Sequence, residues 1–229
     1  MKKKIFILGG NGGLGIEICK FFHRSNYEVY FTCRSLKKVN FVKKRINKSN
    51  IFGFKCDVLN ENDLKKICKI ILKNKIEIIV NSVGVFFYDD LINLSSKKFI
   101  DTIKLNTLPT ILLNKYLALY KKKNDKVNII SLGSSSSYEG FKNTTIYCAT
   151  KHALLGAIKS INNEKIKENI VNINLNPGSI KTKMGKKVKN QNYADFINPK
   201  ELAEFILSIS KIGDSFFFDD LKIKRRKIS

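Results

Sequence analysis

Two residues that can exchange a proton, Tyr147 and Lys151, are four positions apart in the chain. On a helix, this spacing places both side chains on one face, one turn apart. The phenol of tyrosine has an ordinary pKa of about 10, and an ammonium group beside it favours the phenolate. Apolar side chains recur at helical intervals from Ala149 to Ile161. The sequence therefore predicts a proton-transfer pair at the start of an amphipathic helix.

A second pair with the same spacing, Tyr138 and Lys142, shows that the spacing by itself is weak evidence. The chain contains 8 Tyr and is rich in Lys, so about one such pair is expected by chance. Gly140 lies inside the second pair, in a stretch rich in Ser, Gly and Asn that indicates a loop. The Tyr147 pair is favoured because a helical pattern follows it.

Near the N-terminus, an apolar run at 5–8 leads directly into a glycine-rich turn at 9–15 and then into a helical apolar pattern. In this context, backbone N–H groups at the helix start face the pyrophosphate of a dinucleotide, and larger side chains would block its approach. The spacing of Gly9, Gly13 and Gly15 is Gly-x-x-x-Gly-x-Gly. The alternative is a flexible turn without a ligand.

Composition narrows the function classes. Five Cys without a Cys-x-x-Cys spacing indicate reduced core residues in a cytoplasmic protein, and with only 2 His no metal site is predicted. No apolar run approaches the length of a membrane span, and the run after Lys2-Lys3-Lys4 is too short for a signal peptide. We therefore expect no membrane association.

The formal net charge of +24 suggests nucleic-acid binding at first sight. Nearly all the basic residues are Lys, however, and they are spread along the predicted helix surfaces. Arg, which is better suited to bidentate phosphate and base contacts, occurs at only five positions. The charge is interpreted as surface charge, no nucleic-acid partner is expected, and residues 222–227 are predicted to be a strand end and a solvated tail.

The elements alternate along the chain. Strands are predicted at 4–8, 28–33, 51–56, 76–81, 126–132, 169–175 and 215–223, and helices at 13–24, 36–48, 60–74, 97–122, 147–168 and 199–211. This alternation predicts an α/β fold: one Rossmann-type, doubly wound, mainly parallel seven-stranded sheet with helices on both faces. Ligands of such sheets bind outside the carboxyl ends of the strands.

The chain resembles the short-chain dehydrogenase/reductases over essentially its whole length, and in particular NADP-preferring members similar to 3-oxoacyl carrier reductases. The motif residues that carry the resemblance are Gly9, Gly13, Gly15, Asp57, Val58, Asn81, Gly84, Asn106, Ser134, Tyr147, Lys151, Pro177, Gly178 and Thr182. The resemblance implies one domain over 1–229, with 1–90 mainly binding the cofactor and 127–198 carrying the catalytic residues and the substrate loop. It also implies a homodimer or homotetramer.

Three departures from the family pattern stand out. Leu8 replaces the Thr that is usual before the first glycine, so a hydroxyl that ties down the turn is missing. Ser82 replaces the second Asn of the family's Asn-Asn-Ala-Gly turn. The segment 179–198 is only 20 residues long, which indicates a small or rather open substrate pocket.

The residues after the second strand predict NADP(H) rather than NAD(H). An NAD-selective site places a carboxylate there, but the chain has Arg34 and Ser35, which suit a 2′-phosphate. A solvated surface Arg is the alternative. The residues expected at the cofactor are Gly9, Asn11, Gly13, Leu14, Gly15, Arg34, Ser35, Asp57, Val58, Asn81, Gly84, Tyr147, Lys151, Pro177, Gly178 and Thr182.

The resemblance assigns roles to four catalytic residues. Tyr147 is expected to donate a proton to a carbonyl oxygen or to accept it in the reverse direction. Lys151 is expected to lower the pKa of Tyr147 and to hold the nicotinamide ribose. Ser134, or alternatively Ser131, is expected to hydrogen-bond the carbonyl oxygen, and Asn106 to anchor a water molecule that relays protons.

The activity implied is an NADP(H)-dependent interconversion of a carbonyl and an alcohol. The alternative is a non-catalytic NADP(H)-binding sensor, which would have no need of a proton donor. The substrate loop is rich in Lys (Lys181, Lys183, Lys186, Lys187 and Lys189), with Tyr193 and Phe196 following, which favours an anionic substrate. Steroid, pterin and simple carbonyl substrates remain open.

Dimer contacts are expected on helices 97–122 and 147–168, at Tyr116, Leu117, Tyr120, Ile158 and Ile161.

Overall fold

Parallel strands form a single sheet in the computed structural model, which describes residues 2–46, 49–164, 169–189, 191–211, 216 and 218–226. Within these residues the strands are β1 (Lys4–Leu8), β2 (Glu28–Cys33), β3 (Ile51–Lys55), β4 (Ile78–Asn81), β5 (Val127–Leu132), β6 (Ile170–Pro177) and β7 (Asp220–Ile223). The α-helices are α1 (Gly13–Arg24), α2 (Leu36–Ile46), α3 (Glu61–Lys73), α4 (Ser96–Tyr120), α5 (Thr145–Asn163) and α6 (Pro199–Ile209).

The strand order is β3-β2-β1-β4-β5-β6-β7, and every pair of neighbours is parallel. The predicted mainly parallel, seven-stranded sheet is confirmed. The order reverses between β1 and β4, which lie side by side with Ile5 opposite Ile78. A crevice opens at such a reversal, outside the carboxyl ends of the strands.

Apolar clusters on both faces of the sheet explain why its central strands are apolar runs rather than alternating patterns. One cluster joins the sheet to α1, α2 and α6, with Phe22 and Phe31 among its fully buried members. The other joins it to α3 and α4, and includes Ile71 and Leu113. Helices therefore cover both faces, as predicted.

The element boundaries differ from the predicted ones by a few residues. The strand expected from 76 begins at Ile78, because residues 75 and 76 still form the turn that ends α3. Lys75 adopts a positive φ of 52°, and the N–H of Ile76 donates a hydrogen bond to the oxygen of Ile71 in that helix. The strand expected to end at 175 continues to Pro177, and the last strand begins at Asp220. The predicted ends at 47–48 and 165–168, and positions 215 and 217, lie outside the described residues.

All five cysteines are buried and unpaired, as expected for core residues. In the described ranges, no group of three or more His, Cys, Asp or Glu side chains could hold a metal ion. Nor is any helix of that part of the chain long and apolar enough to cross a membrane.

Candidate active site

Helix α5 presents Tyr147 and Lys151 on one face, as their spacing predicts. The ring of Tyr147 is half-buried and stands edge-on to the ring of Phe86, with the centroids 4.8 Å apart. Lys151 is only 3% exposed, and its Nζ lies 5.7 Å from the centroid of the Tyr147 ring. The competing pair at 138 and 142 lies in the loop before α5, so its residues do not share a helix face.

Burial shapes the ionisation of Lys151. Its Nζ donates a hydrogen bond of 2.7 Å to the backbone oxygen of Leu132, the last residue of β5. Because the side chain is removed from water, the charged form is disfavoured and the pKa of Lys151 falls to about 8. Near neutral pH the group is therefore an ammonium that loses its proton readily.

The pKa of Tyr147 rises in this structure instead of falling, so the expected lowering by Lys151 stays a prediction. Burial raises the pKa of Tyr147 to about 12, the Ser134 hydroxyl partly opposes the rise by hydrogen bonding, and Cys148 adds to it. The Lys151 Nζ lies 5.7 Å from the centroid of the Tyr147 ring and donates to a backbone oxygen, and its charge does not offset the rise. The phenol thus stays protonated at neutral pH, which suits a proton donor.

The structure brings Ser134, and not Ser131, to Tyr147. Ser134 caps the short 3-10 turn Ser135–Ser137 by accepting a hydrogen bond from the N–H of Ser136, 3.1 Å from its Oγ. Ser131 lies on β5 with no exposed surface, and its hydroxyl has no hydrogen-bond partner among the described residues. The geometry therefore favours Ser134 over the alternative.

A buried asparagine that the sequence analysis missed holds the Ser134 loop. The N–H of Ser134 donates to Oδ1 of Asn176, 3.1 Å away, and Nδ2 of Asn176 donates to Asp220 Oδ1 at 2.7 Å. Asn176 is 1% exposed, and a Cβ at position 133 would lie 2.0 Å from its Oδ1, so only Gly133 allows this approach. The hydroxyl of Tyr138 also donates to the Asp220 carboxylate.

A signal for this asparagine exists in the sequence. Asn172, Asn174 and Asn176 alternate with apolar residues along β6, and all three are buried. Polar residues on one face of a strand that is buried on both sides need partners inside the protein. Asn172 finds its partner in Asn114, through two amide hydrogen bonds of 2.9 Å each.

Asn106 fastens the segment after β4 to α5. Its Oδ1 accepts from the N–H of Val85 at 2.8 Å, and its Nδ2 donates to the oxygen of Val85 and to Thr150 Oγ1, both at 3.0 Å. A Cβ at Gly84 would lie 3.2 Å from Asn106 Oδ1, so a larger residue there would press on this side chain. The side chain is thus occupied by protein groups, and the predicted water relay stays a prediction.

The glycine turn after β1 is closely packed. Gly9 has a φ of +81°, in the left-handed region that favours glycine. A Cβ at Gly15 would lie 2.3 Å from the oxygen of Gly9, and one at Gly13 would lie 2.8 Å from Cβ of Thr182. No side chain caps the N-terminus of α1 at Gly12, so the first N–H groups of this helix are available to an anion.

The missing hydroxyl at position 8 is replaced from elsewhere in the fold. The N–H of Gly9 donates to Thr32 Oγ1 on β2, 3.3 Å away. The hydroxyl of Ser82, after β4, donates to the oxygen of Leu8 at 2.7 Å. Both departures from the family pattern, Leu8 and Ser82, therefore belong to one arrangement that holds the turn.

A cavity of about 240 Å³ lies beside the glycine turn. Among the predicted cofactor residues, it is lined by Gly9, Asn11, Arg34, Val58 and Gly84. Lys38, which the sequence analysis did not single out, also lines it, and no carboxylate of the described chain pairs with either cation.

Several of the other predicted cofactor residues make contacts within the protein, and their part in cofactor binding stays a prediction. The hydroxyl oxygen of Ser35 accepts from the N–H of Lys38 at 3.4 Å, at the start of α2. Asp57 is exposed and its carboxylate accepts from the N–H of Leu59. Asn81 is buried under the β4 turn, where it donates to Thr110 Oγ1, and Leu14 is buried in α1.

A larger cavity of about 760 Å³ lies at the carboxyl ends of β5, β6 and β7. Its lining includes the predicted residues Ser134, Tyr147, Pro177, Gly178 and Thr182. Thr182 connects it to the glycine turn, because its side chain packs against Gly13. Tyr147, Ser134 and the glycine turn therefore lie along one edge of the sheet.

Comparison with known proteins identifies the family. Residues 3–193 match the family model of the short chain dehydrogenases. The chain is 30% identical over 210 residues to the 3-oxoacyl-[acyl-carrier-protein] reductase FabG of Buchnera aphidicola subsp. Acyrthosiphon pisum, covering 89% of this chain and 84% of the relative. The chain belongs to the short-chain dehydrogenase/reductase family, and it is an oxidoreductase of the class that acts on carbonyl and alcohol groups.

Solved structures agree with the fold. The structure of ElxO with NADP bound superposes with a TM-score of 0.87 and 25% sequence identity, over 98% of both chains. The 3-ketoacyl-(acyl-carrier-protein) reductase of Brucella melitensis complexed with NADH gives 0.84 at 19% identity, over 97% of this chain and 96% of the other. The predicted fold class and family are thereby confirmed.

We expect Asn176→Ala to slow carbonyl reduction about 10-fold, because the Ser134 loop loses the acceptor that positions it. The matched control is Asn172→Ala, which removes another buried asparagine from the same face of β6 but leaves Ser134 untouched. Both variants should be destabilised by about 1–3 kcal/mol in urea unfolding. Equal losses of kcat in the two variants would show that Asn176 has no positioning role.

We expect Lys151→Met to change the pH dependence of stability. Lys151 has a folded-state pKa of about 8, below the 10.5 of a free lysine, so the folded protein binds the proton less tightly than the unfolded chain. The resulting penalty is nearly complete at pH 7.5 and falls by about 2 kcal/mol towards pH 10.

The stability of the parent relative to Lys151→Met should therefore rise by that amount between pH 7.5 and 10, as measured by urea unfolding at each pH. Lys66→Met, at an exposed site on α3, controls for the loss of one surface charge. A stability difference between parent and Lys151→Met that is constant with pH contradicts the prediction.

Proposed function

We propose that the protein interconverts a carbonyl and an alcohol with NADP(H), and that Tyr147 is the proton donor or acceptor. The observation that carries the proposal is the placement of Tyr147 beside Ser134 and Lys151, in a cavity joined to the glycine turn through Thr182. NADP(H), when bound, supplies or accepts the hydride through its nicotinamide ring.

The glycine turn fits a dinucleotide. Side chains are absent where a Cβ would fill the approach to α1, and the uncapped N–H groups of that helix favour a pyrophosphate. We propose that residues 1–90 mainly bind the cofactor and that 127–198 carry catalysis and the substrate loop. The proposed cofactor residues remain the set predicted above, from Gly9 to Thr182.

The preference for NADP(H) rests on the charge of the smaller cavity. Arg34 is exposed there without a pairing carboxylate among the described residues, and Lys38 lines the same cavity. A guanidinium and an ammonium together suit the 2′-phosphate that distinguishes NADP from NAD. One similar structure contains NADP and another contains NADH, so the charge at Arg34 and Lys38 carries this part of the proposal.

In the proposed mechanism, Tyr147 donates its phenolic proton to the carbonyl oxygen during reduction. Its pKa of about 12 keeps the proton in place at working pH. The hydroxyl of Ser134 orients the carbonyl oxygen and stabilises the charge that develops on it. Lys151 stabilises the phenolate that is left, and Asn106 is proposed to anchor the water that returns a proton.

Partner and location are also proposals. Homodimer or homotetramer formation through α4 and α5 cannot use Tyr116, Leu117 or Ile158, because all three are buried in the core. Of the predicted contact residues, Tyr120, which is 37% exposed, and the half-buried Ile161 can still take part in such an interface.

We propose a cytoplasmic location from the five unpaired cysteines, and no nucleic-acid partner.

Tyr147→Phe should lower the rate of carbonyl reduction by about 10²- to 10⁴-fold, because it removes the general acid. Its affinity for NADPH should change little, since the ring remains in place. Reduction of an aromatic aldehyde measures the rate, and Tyr120→Phe is the control, because Tyr120 lines neither cavity. Undiminished turnover would refute the assignment. NADPH binding without turnover in the parent protein would favour the non-catalytic sensor.

Arg34→Ala should weaken NADPH binding by about 10- to 100-fold and leave NADH binding unchanged, because only NADPH carries the 2′-phosphate. The chain has no Trp, so nicotinamide fluorescence can be excited directly in a titration. Lys37→Ala is the matched control, because Lys37 is exposed in the first turn of α2, three residues after Arg34, but does not line the cavity. The same NADPH preference in Arg34→Ala and the parent would contradict the proposal.

A further inference from the structure

The larger cavity has a strongly basic wall that the proposed chemistry does not use. Its cationic lining residues are Lys142, Lys189, Lys224, Arg225 and Arg226, whereas its acidic ones are Glu139 and Asp195. Within the described residues, no carboxylate lies at ion-pair distance from any of these cations. The cavity that contains Tyr147 therefore carries excess positive charge.

Arg225 is the least exposed cation of this wall, since it is half-buried and the other four are exposed. The last pair of the β6–β7 register joins Pro177 to Ile223, and the N–H of Gly178 donates to the oxygen of Ile223 at 3.0 Å. The chain then carries Arg225 against Gly178, where an added Cβ would lie 3.0 Å from Cγ of the arginine.

The guanidinium of Arg225 is held in a defined place. Arg225 is half-buried, and its Cζ lies 5.3 Å from the centroid of the Phe196 ring. Stacking on an aromatic ring restricts the side chain while leaving the N–H groups at the edge of the guanidinium free to donate. A planar fork of donors in a cavity, without a carboxylate to neutralise it, is suited to a carboxylate or a phosphate.

We propose that Arg225 binds an anionic group, a carboxylate or phosphate, on the carbonyl substrate. The inference rests on the proposed function, since it takes Tyr147 and Ser134 in the same cavity as the groups that bind the carbonyl oxygen. Lys142, Lys189, Lys224 and Arg226 surround the cavity with further positive charge and attract such a substrate. Arg225 then determines which carbonyl compounds are used, and takes no part in proton transfer.

The cofactor is the competing source of an anion. Arg34 and Lys38 line the smaller cavity beside the glycine turn, whereas Arg225 lines only the larger one. The proposal therefore assigns Arg225 to the substrate, and the affinity for NADPH distinguishes the two assignments.

The test compares Arg225→Leu, Arg225→Lys and the parent on matched aldehydes. The carboxylate arm pairs 4-formylbenzoate with its methyl ester, and the phosphate arm pairs 4-formylphenyl phosphate with 4-methoxybenzaldehyde. Arg45→Leu is the control, because Arg45 also stacks on an aromatic ring, Phe41, but lies outside both cavities. Nicotinamide fluorescence gives the NADPH affinity of each variant.

We expect Arg225→Leu to lower kcat/KM for at least one anionic aldehyde by about 10- to 100-fold, mainly through KM. The neutral partner and the NADPH dissociation constant should change less than about twofold. Arg225→Lys should fall between Arg225→Leu and the parent, because it keeps the charge without the fork. Arg45→Leu should match the parent throughout.

Two results would overturn the inference while leaving the proposed function intact. Equal losses on the charged and neutral aldehydes would mean that Arg225 only supports the fold. Weaker NADPH binding in Arg225→Leu would mean that Arg225 binds the cofactor.

If no aldehyde is reduced by the parent, the proposed function fails. Calorimetric binding of 4-formylbenzoate and 4-formylphenyl phosphate, which needs no turnover, still decides whether Arg225 holds an anion.

Discussion

The common direction of the strands is the constraint on which the candidate site depends. Parallel strands bring their carboxyl ends to one edge of the sheet, and each return connection brings the next helix back across a face. The glycine turn follows β1, the Ser134 loop follows β5, and Pro177 ends β6 at that same edge. Residues that are far apart in the chain therefore lie close together at this edge of the sheet.

Close backbone packing at this edge leaves little freedom for the residues that build it. Gly15 allows the first turn of α1 to approach the oxygen of Gly9, and Gly133 allows the end of β5 to approach Asn176. Ser82, which donates to the oxygen of Leu8, and Asn176, which accepts from the N–H of Ser134, then hold the two turns from neighbouring strands. Such cross-strand support keeps a site rigid enough to orient a substrate.

The same edge carries polar groups whose burial opposes stability. Lys151 loses hydration in the core, and this loss lowers its pKa. Asn176, which is buried, and Asp220, which is half-buried, form a hydrogen-bond network under the Ser134 loop, and removing one partner would leave buried groups unsatisfied. The apolar clusters on both faces of the sheet stabilise the fold and so offset the cost of burying these polar groups. Active sites commonly reduce stability in this way.

The sequence by itself determined the alternation of strands and helices, the glycine turn and the helical pair Tyr147 and Lys151, because these patterns are local. The pairing of Ser134 with Tyr147 could be expected from the family resemblance, but the choice against Ser131 required the fold. Asn176, Thr32 and Ser82 were missed as supports because each contacts a turn far away in the chain, 74 positions away for Ser82 and Leu8.

Only the tertiary structure decided the ionisation of the site. From sequence, the ammonium of Lys151 is expected to lower the pKa of Tyr147. In the fold, burial of both side chains and the bond from Lys151 to Leu132 make desolvation the larger effect on the phenol. The position of Arg225 in the cavity wall likewise follows from the pairing of β6 with β7, which no local pattern in the chain specifies.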